Sequence, residues 1–201
     1  MTLHPIEAGN FKLDGGAMFG VVPKSLWQKT NPSDKNNMID MASRCLLIED
    51  GKRLMLIDTG MGTKQTEKFF SYYYRWGEHE LVSSINKAGF SCEEITDVVF
   101  THLHFDHCGG GAVWDNNKSF YRPLFKNAMY WSNKNHWSWA ETPNPREKAS
   151  FLKENLSPIK ESGAFEFVSQ LPAGFEYAKE IHMDLLFVDA HHDKQTIQKI
   201  T

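Results

Sequence analysis

The sequence predicts an α/β fold built around a mixed β-sheet. Apolar segments of strand length alternate along the chain with segments of helical spacing, which is typical of this class. Two of the strand-like segments, 41–49 and 53–58, are separated only by Asp50-Gly51-Lys52. Asp-Gly between apolar runs is a strong signal for a tight antiparallel hairpin. A hairpin within an otherwise alternating chain indicates that the sheet contains both parallel and antiparallel pairs.

The elements that follow the hairpin are predicted from spacing and capping residues. Residues 59–63 include two glycines and are expected to form a loop. Apolar residues recur at helical spacing within 79–88, and Gly89 stands where it would end that helix. Ser-Cys-Glu-Glu at 91–94 has the pattern of a capping box, which predicts one helical turn. Residues 96–101 then form a predicted strand.

The second half of the chain continues the alternation. Its predicted elements are strands at 128–132, 165–169 and 181–188, and helices at 131–139 and 145–161. The aromatic-rich segment 116–165 is long for a connection. It is either a helical cap that sets substrate size or a set of ordinary packing helices. Met18, Phe19 and Trp27 raise a similar question, because they could line a pocket or form a subunit contact.

Length, charge and cysteine content limit the functional classes. A chain of 201 residues with 41% apolar and 23% charged residues is expected to form one globular domain covering 1–201. The net charge of −3, without a Lys- and Arg-rich run, argues against nucleic acid as a partner. No apolar run has the length of a membrane span. The widely spaced Cys45, Cys92 and Cys108, without a secretion signal, predict reduced thiols in the cytoplasm.

The most informative segment of the chain is His-Leu-His-Phe-Asp-His at 102–107. It places three imidazoles and one carboxylate within six positions, directly after the predicted strand 96–101 and shortly before Gly109-Gly110-Gly111. A histidine-rich surface loop is the alternative interpretation. Because the chain has 9 histidines in 201 residues, three of them within six positions favour a built site.

The ligand types predict a transition-metal centre. Imidazole and carboxylate suit zinc, manganese, iron or cobalt, whereas calcium and magnesium prefer oxygen ligands alone. Four ligands exceed the need of one open zinc site, so one or two Zn²⁺ ions are expected. His102 and His104 would bind the first ion, and Asp106 and His107 the second. Metal ions of this kind activate water for hydrolysis, with Asp106 as the candidate general base.

Several motifs resemble one known family. Residues 101–110, Thr-His-Leu-His-Phe-Asp-His-Cys-Gly-Gly, resemble the HxHxDH signature of the metallo-β-lactamase superfamily, and Leu-Ile-Asp-Thr-Gly at 56–60 resembles its strand-ending aspartate motif. Residues 14–24 resemble the N-terminal region of a bacterial branch with quorum-quenching lactonases and methyl-parathion-hydrolase-like enzymes. Residues 188–195 resemble that branch's later Gly-His-Thr ligand segment. The resemblance implies an αββα sandwich of two mixed β-sheets flanked by helices.

The resemblance also implies roles for further residues. His191 would complete the first metal site together with His102 and His104. Asp58 would accept the second ring N–H of a histidine ligand and so orient it. Asp58 and Asp106 are therefore the expected catalytic carboxylates.

The later motif departs from the family pattern. Ala190 and His192 stand where relatives have glycine and threonine, and relatives continue for several dozen residues that supply a bridging aspartate and a final histidine. Three interpretations stay open: the C-terminal part of a longer protein is missing, a partner subunit supplies the ligands, or the chain is a divergent single-metal or inactive member. A missing sheet edge would favour association, so a homo-oligomer, in its simplest form a dimer, is expected.

The predicted function is a metal-dependent hydrolase of a small-molecule ester, lactone or related substrate. The alternative is a truncated or divergent member of the family that binds metal without catalysis. No Ser-His or Cys-His arrangement is evident, so a covalent acyl-enzyme is not expected. A redox or glyoxalase-type relative is disfavoured, because di-iron relatives typically carry glutamate at the position of His104.

Overall fold

The structure is a computed structural model that describes residues 1–77 and 80–168, and the strand backbones at 175–176, 183–188 and 195–200. The described strands are β1 (Thr2–Asp14), β2 (Met38–Asp50), β3 (Arg53–Ile57), β4 (Asp97–Val99), β5 (Ala112–Trp114), β6 (Tyr121–Pro123), β7 (Met129–Asn133), β8 (Phe165–Val168), β9 (Phe175–Glu176), β10 (Met183–Val188) and β11 (Gln195–Ile200). The described α-helices are α1 (Gly15–Phe19), α2 (Lys24–Trp27), α3 (Glu67–Ser71), α4 (Leu81–Lys87), α5 (Phe105–Cys108), α6 (Lys134–Glu141) and α7 (Lys153–Glu161). Single 3-10 turns lie at Gly109–Gly111 and Lys148–Ser150.

In the part of the chain that the structure describes, the main sheet has six strands in the order β1-β2-β3-β4-β7-β8. The pairs β1–β2 and β2–β3 are antiparallel, whereas β3–β4, β4–β7 and β7–β8 are parallel. Asp50 pairs with Arg53, and Gly51 takes the positive φ of +59° that the tight turn between them requires. The predicted α/β class, mixed sheet and β2–β3 hairpin are confirmed.

Within the described residues, two smaller antiparallel sheets accompany the main one. One has the strand order β11-β10-β9, and the other is the β5–β6 hairpin. Strand β10 falls within the predicted strand 181–188, whose first two residues lie outside the described part of the chain. None of the helices in the described part is long and apolar enough to cross a membrane.

The N-terminal strand β1 was not predicted. It pairs with β2 along its whole length, but a bulge between Glu7 and Gly9 shifts the register. Most of its side chains are only partly buried, with Ile6 and Phe11 as the buried apolar anchors. The bulge breaks the period-two alternation that identifies a strand in sequence, so the pattern was hidden.

Two predicted helices were wrong in their boundaries. Strand β7 continues to Asn133, and α6 begins only at Lys134 because the Asn133 side chain accepts the backbone N–H groups of Asn135 and His136. Within 145–161 the described α-helix is only Lys153–Glu161. At 91–94 the Glu94 carboxylate accepts the Ser91 backbone N–H at 2.7 Å, but a turn rather than a helix follows.

The main core lies between the sheet and helices α4, α6 and α7. Its largest fully buried side chains include Trp137, Tyr130, Phe100 and Phe125. The segment 116–165 supplies three of these and also strand β7, so part of it belongs to the core. Whether the rest of the segment covers a substrate stays a prediction.

Candidate metal centre

The predicted site residues lie at one edge of the main sheet. Strands β3 and β4 are parallel neighbours, with Ile57 paired to Val99. Asp58 follows β3 directly, and the segment beginning at Thr101 follows β4. The carboxyl ends of parallel strands are where α/β folds place functional groups. Parallel pairing therefore brings two motifs, more than forty positions apart in sequence, side by side.

Asp58 is the structural hub of this edge. Its buried carboxylate accepts the Thr101 backbone N–H at 2.8 Å, the Thr101 hydroxyl at 2.7 Å and the His107 Nδ1–H at 2.8 Å. Its own backbone N–H donates to the Val99 carbonyl at 3.0 Å. Asp58 also has a φ of +59°, which is unfavourable for a non-glycine residue by roughly 1–2 kcal/mol. The surrounding hydrogen bonds hold this conformation, as is common at functional sites.

The hydrogen bonds of Asp58 fix the tautomers of two histidines. A carboxylate only accepts, so the proton in the bond between Asp58 and His107 lies on His107 Nδ1. The Thr101 hydroxyl donates its single proton to Asp58, so it accepts from His102 Nδ1, 3.1 Å away. In the neutral form of each ring, Nε2 therefore carries the lone pair. This is the state in which imidazole binds a metal ion.

The imidazole rings of the predicted ligands lie close together. The His102 ring centroid is 3.9 Å from that of His107 and 4.9 Å from that of His104. Asp106 Oδ2 lies 3.6 Å from His107 Nε2. A cavity of about 150 Å³ opens beside Asp58, Asp106 and His107, and strands β1 and β2 form its opposite wall. The structure thus brings together all the predicted site residues that it describes.

The electrostatics of this edge favour a cation. Burial lowers the pKa of His107, but its hydrogen bond to Asp58 and the negative charges of Asp58 and Asp106 raise it, and the net pKa is above the ordinary value. Two carboxylates beside one imidazole create a negative potential that a proton relieves. A divalent cation carries twice that charge and would relieve it in the same way.

The donor chemistry of the residues fits a zinc-type ion. Imidazole nitrogens with fixed lone pairs and a nearby carboxylate are ligands that zinc accepts. Within the described residues, however, no three His, Cys, Asp or Glu side chains by themselves form a complete cation site. His191, predicted from the family resemblance to be the third ligand of the first ion, lies outside the described residues.

The turn that carries Asp106 and His107 packs directly on the loop after β3. The Thr59 backbone N–H donates to the His107 carbonyl at 2.7 Å, and the Gly110 N–H donates to the Gly60 carbonyl at 3.0 Å. A Cβ atom on Gly110 would lie 2.2 Å from the Thr59 carbonyl oxygen, and one on Gly109 would be as close to the Met61 oxygen. Only glycine permits this approach of two backbones.

A buried lysine lies at the same contact. Lys64 is 6% exposed, and its ammonium donates to the Gly109 carbonyl. Burial lowers the pKa of Lys64 to about 8, although the negative charge of Glu154 opposes the decrease. Sequence analysis did not identify Lys64, because a lysine in a polar loop is normally a solvated surface residue.

His136 is a second residue near the site, although it is not among the predicted ligands. Its buried Nε2 accepts the backbone N–H of Leu103 at 3.0 Å, between the first two histidines of the motif. The ring of Phe151 lies against both His104 and His136, at centroid distances of 4.9 and 5.8 Å. Helix α6 and the segment before α7 therefore support the ligand loop through contacts that do not involve Asp58.

Cys108 belongs to the core. It is fully buried, its thiol donates to the Leu103 carbonyl at 3.3 Å, and burial raises its pKa to about 12. Its place in the core cluster and its bond to a carbonyl of the same loop make Cys108 a packing group.

Comparison with known proteins is consistent with this geometry. A family model described as the metallo-beta-lactamase superfamily matches residues 39–182. An N-acyl homoserine lactonase of Bacillus cereus is 28% identical over an alignment of 90 residues. The alignment covers 40% of this chain and 36% of the relative. The match therefore covers little more than a third of the length of that curated relative.

Solved structures resemble nearly the whole chain. A structure described as a probable metal-dependent hydrolase from Staphylococcus aureus is 28% identical, with a TM-score of 0.86, covering 99% of this chain and 68% of that one. AidC, a dizinc quorum-quenching lactonase solved with a product, is 22% identical, with a TM-score of 0.67, covering 99% and 67%. At that identity the likeness to AidC shows the fold alone. The family model matches residues 39–182, which are most of this chain, so the chain belongs to the metallo-beta-lactamase superfamily.

Proposed function

We propose that this chain forms the metal-binding part of a hydrolase that acts on a small-molecule ester or lactone, with one or two Zn²⁺ ions. The observation that carries the proposal is the network of Asp58. One carboxylate sets the tautomer of His107 directly and that of His102 through the Thr101 hydroxyl. In an ordinary surface loop, nothing would require two imidazoles to keep the same nitrogen, Nε2, unprotonated.

The residues divide into two ligand groups in this proposal. His102, His104 and His191 would hold the first ion, and Asp106 and His107 the second. Bound zinc supplies Lewis acidity, which activates water and polarises a substrate carbonyl. The chain itself positions the ligands, and Asp58 is the residue that orients them.

Asp106 is the proposed general base. Its side chain is 16% exposed, and it lines the cavity next to His107. A carboxylate there can accept a proton from the attacking water and pass it on to the leaving group. Asp58 is less suited to this role, because both of its oxygens already accept hydrogen bonds from Thr101 or His107.

The substrate class is proposed from the relatives and the cavity. The curated relatives are N-acyl homoserine lactonases. The cavity wall opposite Asp106 includes the apolar side chains of Phe11 and Met41 and the small residue Ala42. Such a wall suits the hydrocarbon part of a small ester or lactone. The net charge of −3 gives no support to a nucleic-acid substrate.

A second candidate is a member of the family that binds metal without catalysis. It is favoured by one observation, that Ala190 and His192 stand where the family's later motif has glycine and threonine. Metal stoichiometry separates the two candidates. A single ion per chain without hydrolysis would support the binding protein, and two ions with turnover would support the enzyme.

His104→Ala tests the proposed function. We expect it to lower the Zn²⁺ content of the purified protein and to abolish hydrolysis of a panel of lactones and esters, because His104 is a proposed ligand. His4→Ala is the matched control, since His4 hydrogen-bonds Glu49 on strand β2. Zinc content is measured by mass spectrometry and turnover by pH-stat. Full activity in His104→Ala would rule out the metal mechanism.

A further inference from the structure

We infer that Lys64 is a positioning residue for the proposed metal centre, holding the turn that carries Asp106 and His107 through the Gly109 carbonyl. The inference rests on the proposed function, because it concerns ligands of that centre. It adds a residue that lies outside the ligand motif and outside the Asp58 network.

The position of the hydrogen bond supports this role. Helix α5 has only four residues, so its last carbonyl groups have no partner within the helix. The loop after β3 supplies the missing partners: Thr59 donates to the His107 carbonyl, and Lys64 donates to the Gly109 carbonyl. Lys64 is the charged member of this pair. Loss of the Lys64 ammonium would leave the Gly109 carbonyl, two residues after His107, without this donor.

The burial of Lys64 is a second argument. Lysine is almost never fully buried unless it is paired, since removing an ammonium from water is costly. Here the acceptor is a neutral peptide carbonyl, and the depressed pKa reflects the cost. A methionine would fill a similar volume without that cost. A charged donor at position 64 is explained if the geometry of the turn matters more than the stability of the loop.

Neighbouring contacts fix Lys64 itself. The Trp114 indole N–H on β5 donates to the Lys64 carbonyl at 3.1 Å. The adjacent Gln65 side chain donates to the Glu154 carboxylate on α7 at 3.1 Å. The lysine is therefore anchored to two elements beyond the metal edge. A shift of α7 or β5 would reach the ligand turn through this side chain.

The test compares Lys64→Met with Lys64→Arg and with Lys68→Met. Lys68 is an exposed lysine of the neighbouring helix α3 and serves as the matched control. Zn²⁺ affinity is measured by chelator competition, and the Co²⁺-substituted protein gives the ligand-field spectrum. Hydrogen exchange of peptides covering residues 101–112 is measured in the metal-free protein.

We expect Lys64→Met to weaken Zn²⁺ binding about tenfold, at the lower end of the effects of outer ligand partners. We also expect a changed Co²⁺ spectrum and faster exchange of 101–112, with partial recovery in Lys64→Arg. Unchanged affinity, spectrum and exchange in Lys64→Met, or equal losses in Lys68→Met, would overturn the inference. If Lys64→Met does not fold, Lys64→Gln is measured in its place.

The design separates the two proposals. If the unmodified protein binds no Zn²⁺, the proposed function fails, and the exchange measurement on the metal-free chain still decides whether Lys64 holds the turn. If the unmodified protein binds Zn²⁺ and Lys64→Met behaves like it in all three measurements, only the inference about Lys64 fails.

Discussion

Thr101 is the residue through which the Asp58 carboxylate, which bonds His107 directly, also reaches His102. Its hydroxyl lies between Asp58 Oδ2, at 2.7 Å, and His102 Nδ1, at 3.1 Å. Its backbone N–H independently donates to Asp58 Oδ1. The side chain and the main chain of Thr101 therefore have separable effects. The main chain fixes the position of the loop, and the hydroxyl fixes the tautomer of His102.

Thr101→Val tests this separation. Valine keeps the shape and the backbone hydrogen bond but removes the hydroxyl, so His102 loses the acceptor that holds its proton on Nδ1. We expect Zn²⁺ affinity to fall by roughly ten- to a hundredfold, the range for loss of a partner that orients a metal ligand. Isothermal titration with Zn²⁺ gives the affinity, and circular dichroism verifies the fold.

Thr101→Ser is the matched control for that variant. Serine retains the hydroxyl and loses only a methyl group, so its affinity should stay close to that of the unmodified protein. Equal affinities for Thr101→Val and Thr101→Ser would show that the hydroxyl does not control the His102 tautomer.

At the scale of elements, the ligand turn depends on the contact between two loops. The loop after β3 and the turn after α5 approach so closely that no side chain fits between their backbones. Gly110→Ala would place a Cβ atom 2.2 Å from the Thr59 carbonyl oxygen, which is held in the backbone and cannot rotate away. We expect a loss of about 2–3 kcal/mol in the free energy of unfolding, as for severe overpacking. Urea denaturation measures it.

The neighbouring glycine gives the comparison. A Cβ atom on Gly111 would lie 3.1 Å from Phe100 Cζ, the end of a side chain that can adjust. Gly111→Ala should therefore lose less stability than Gly110→Ala. Equal unfolding free energies for the two variants would mean that the loop contact is looser than the distances indicate.

The elements around the ligand turn show which features could be predicted from the sequence and which could not. The Asp50-Gly51 hairpin and the motifs at 56–60 and 101–110 are local patterns, and they predicted the hairpin and the family correctly. Lys64 and His136 act through partners that are 45 and 33 positions away. Only the fold creates those contacts, so no local pattern could reveal them. Strand β1 was not predicted for a related reason. Its bulge interrupts the alternation in the sequence, and only pairing with β2 in the fold compensates for the bulge.

At the scale of the whole molecule, the segment around α1 and α2 carries large apolar side chains that are exposed to solvent. Val21 is fully exposed, and Leu26 is 57% exposed. Trp27, by contrast, is buried against Phe19 with ring centroids 5.1 Å apart. Trp27 therefore stabilises the segment from within, and Val21 and Leu26 are its most exposed large apolar side chains, ahead of Val22 and Met18. Exposed apolar groups of this kind are typical of interaction surfaces.

We predict that the protein is a homodimer and that this segment contributes to its interface. Val21→Glu combined with Leu26→Glu should shift the protein to monomer, because an interface cannot bury unpaired carboxylates without a large desolvation cost. Phe120→Glu is the control, since Phe120 is 60% exposed and lies outside the segment. Light scattering after size-exclusion chromatography at micromolar concentration measures the mass. A monomeric unmodified protein would contradict the dimer, and a double variant that stays dimeric would place the interface elsewhere.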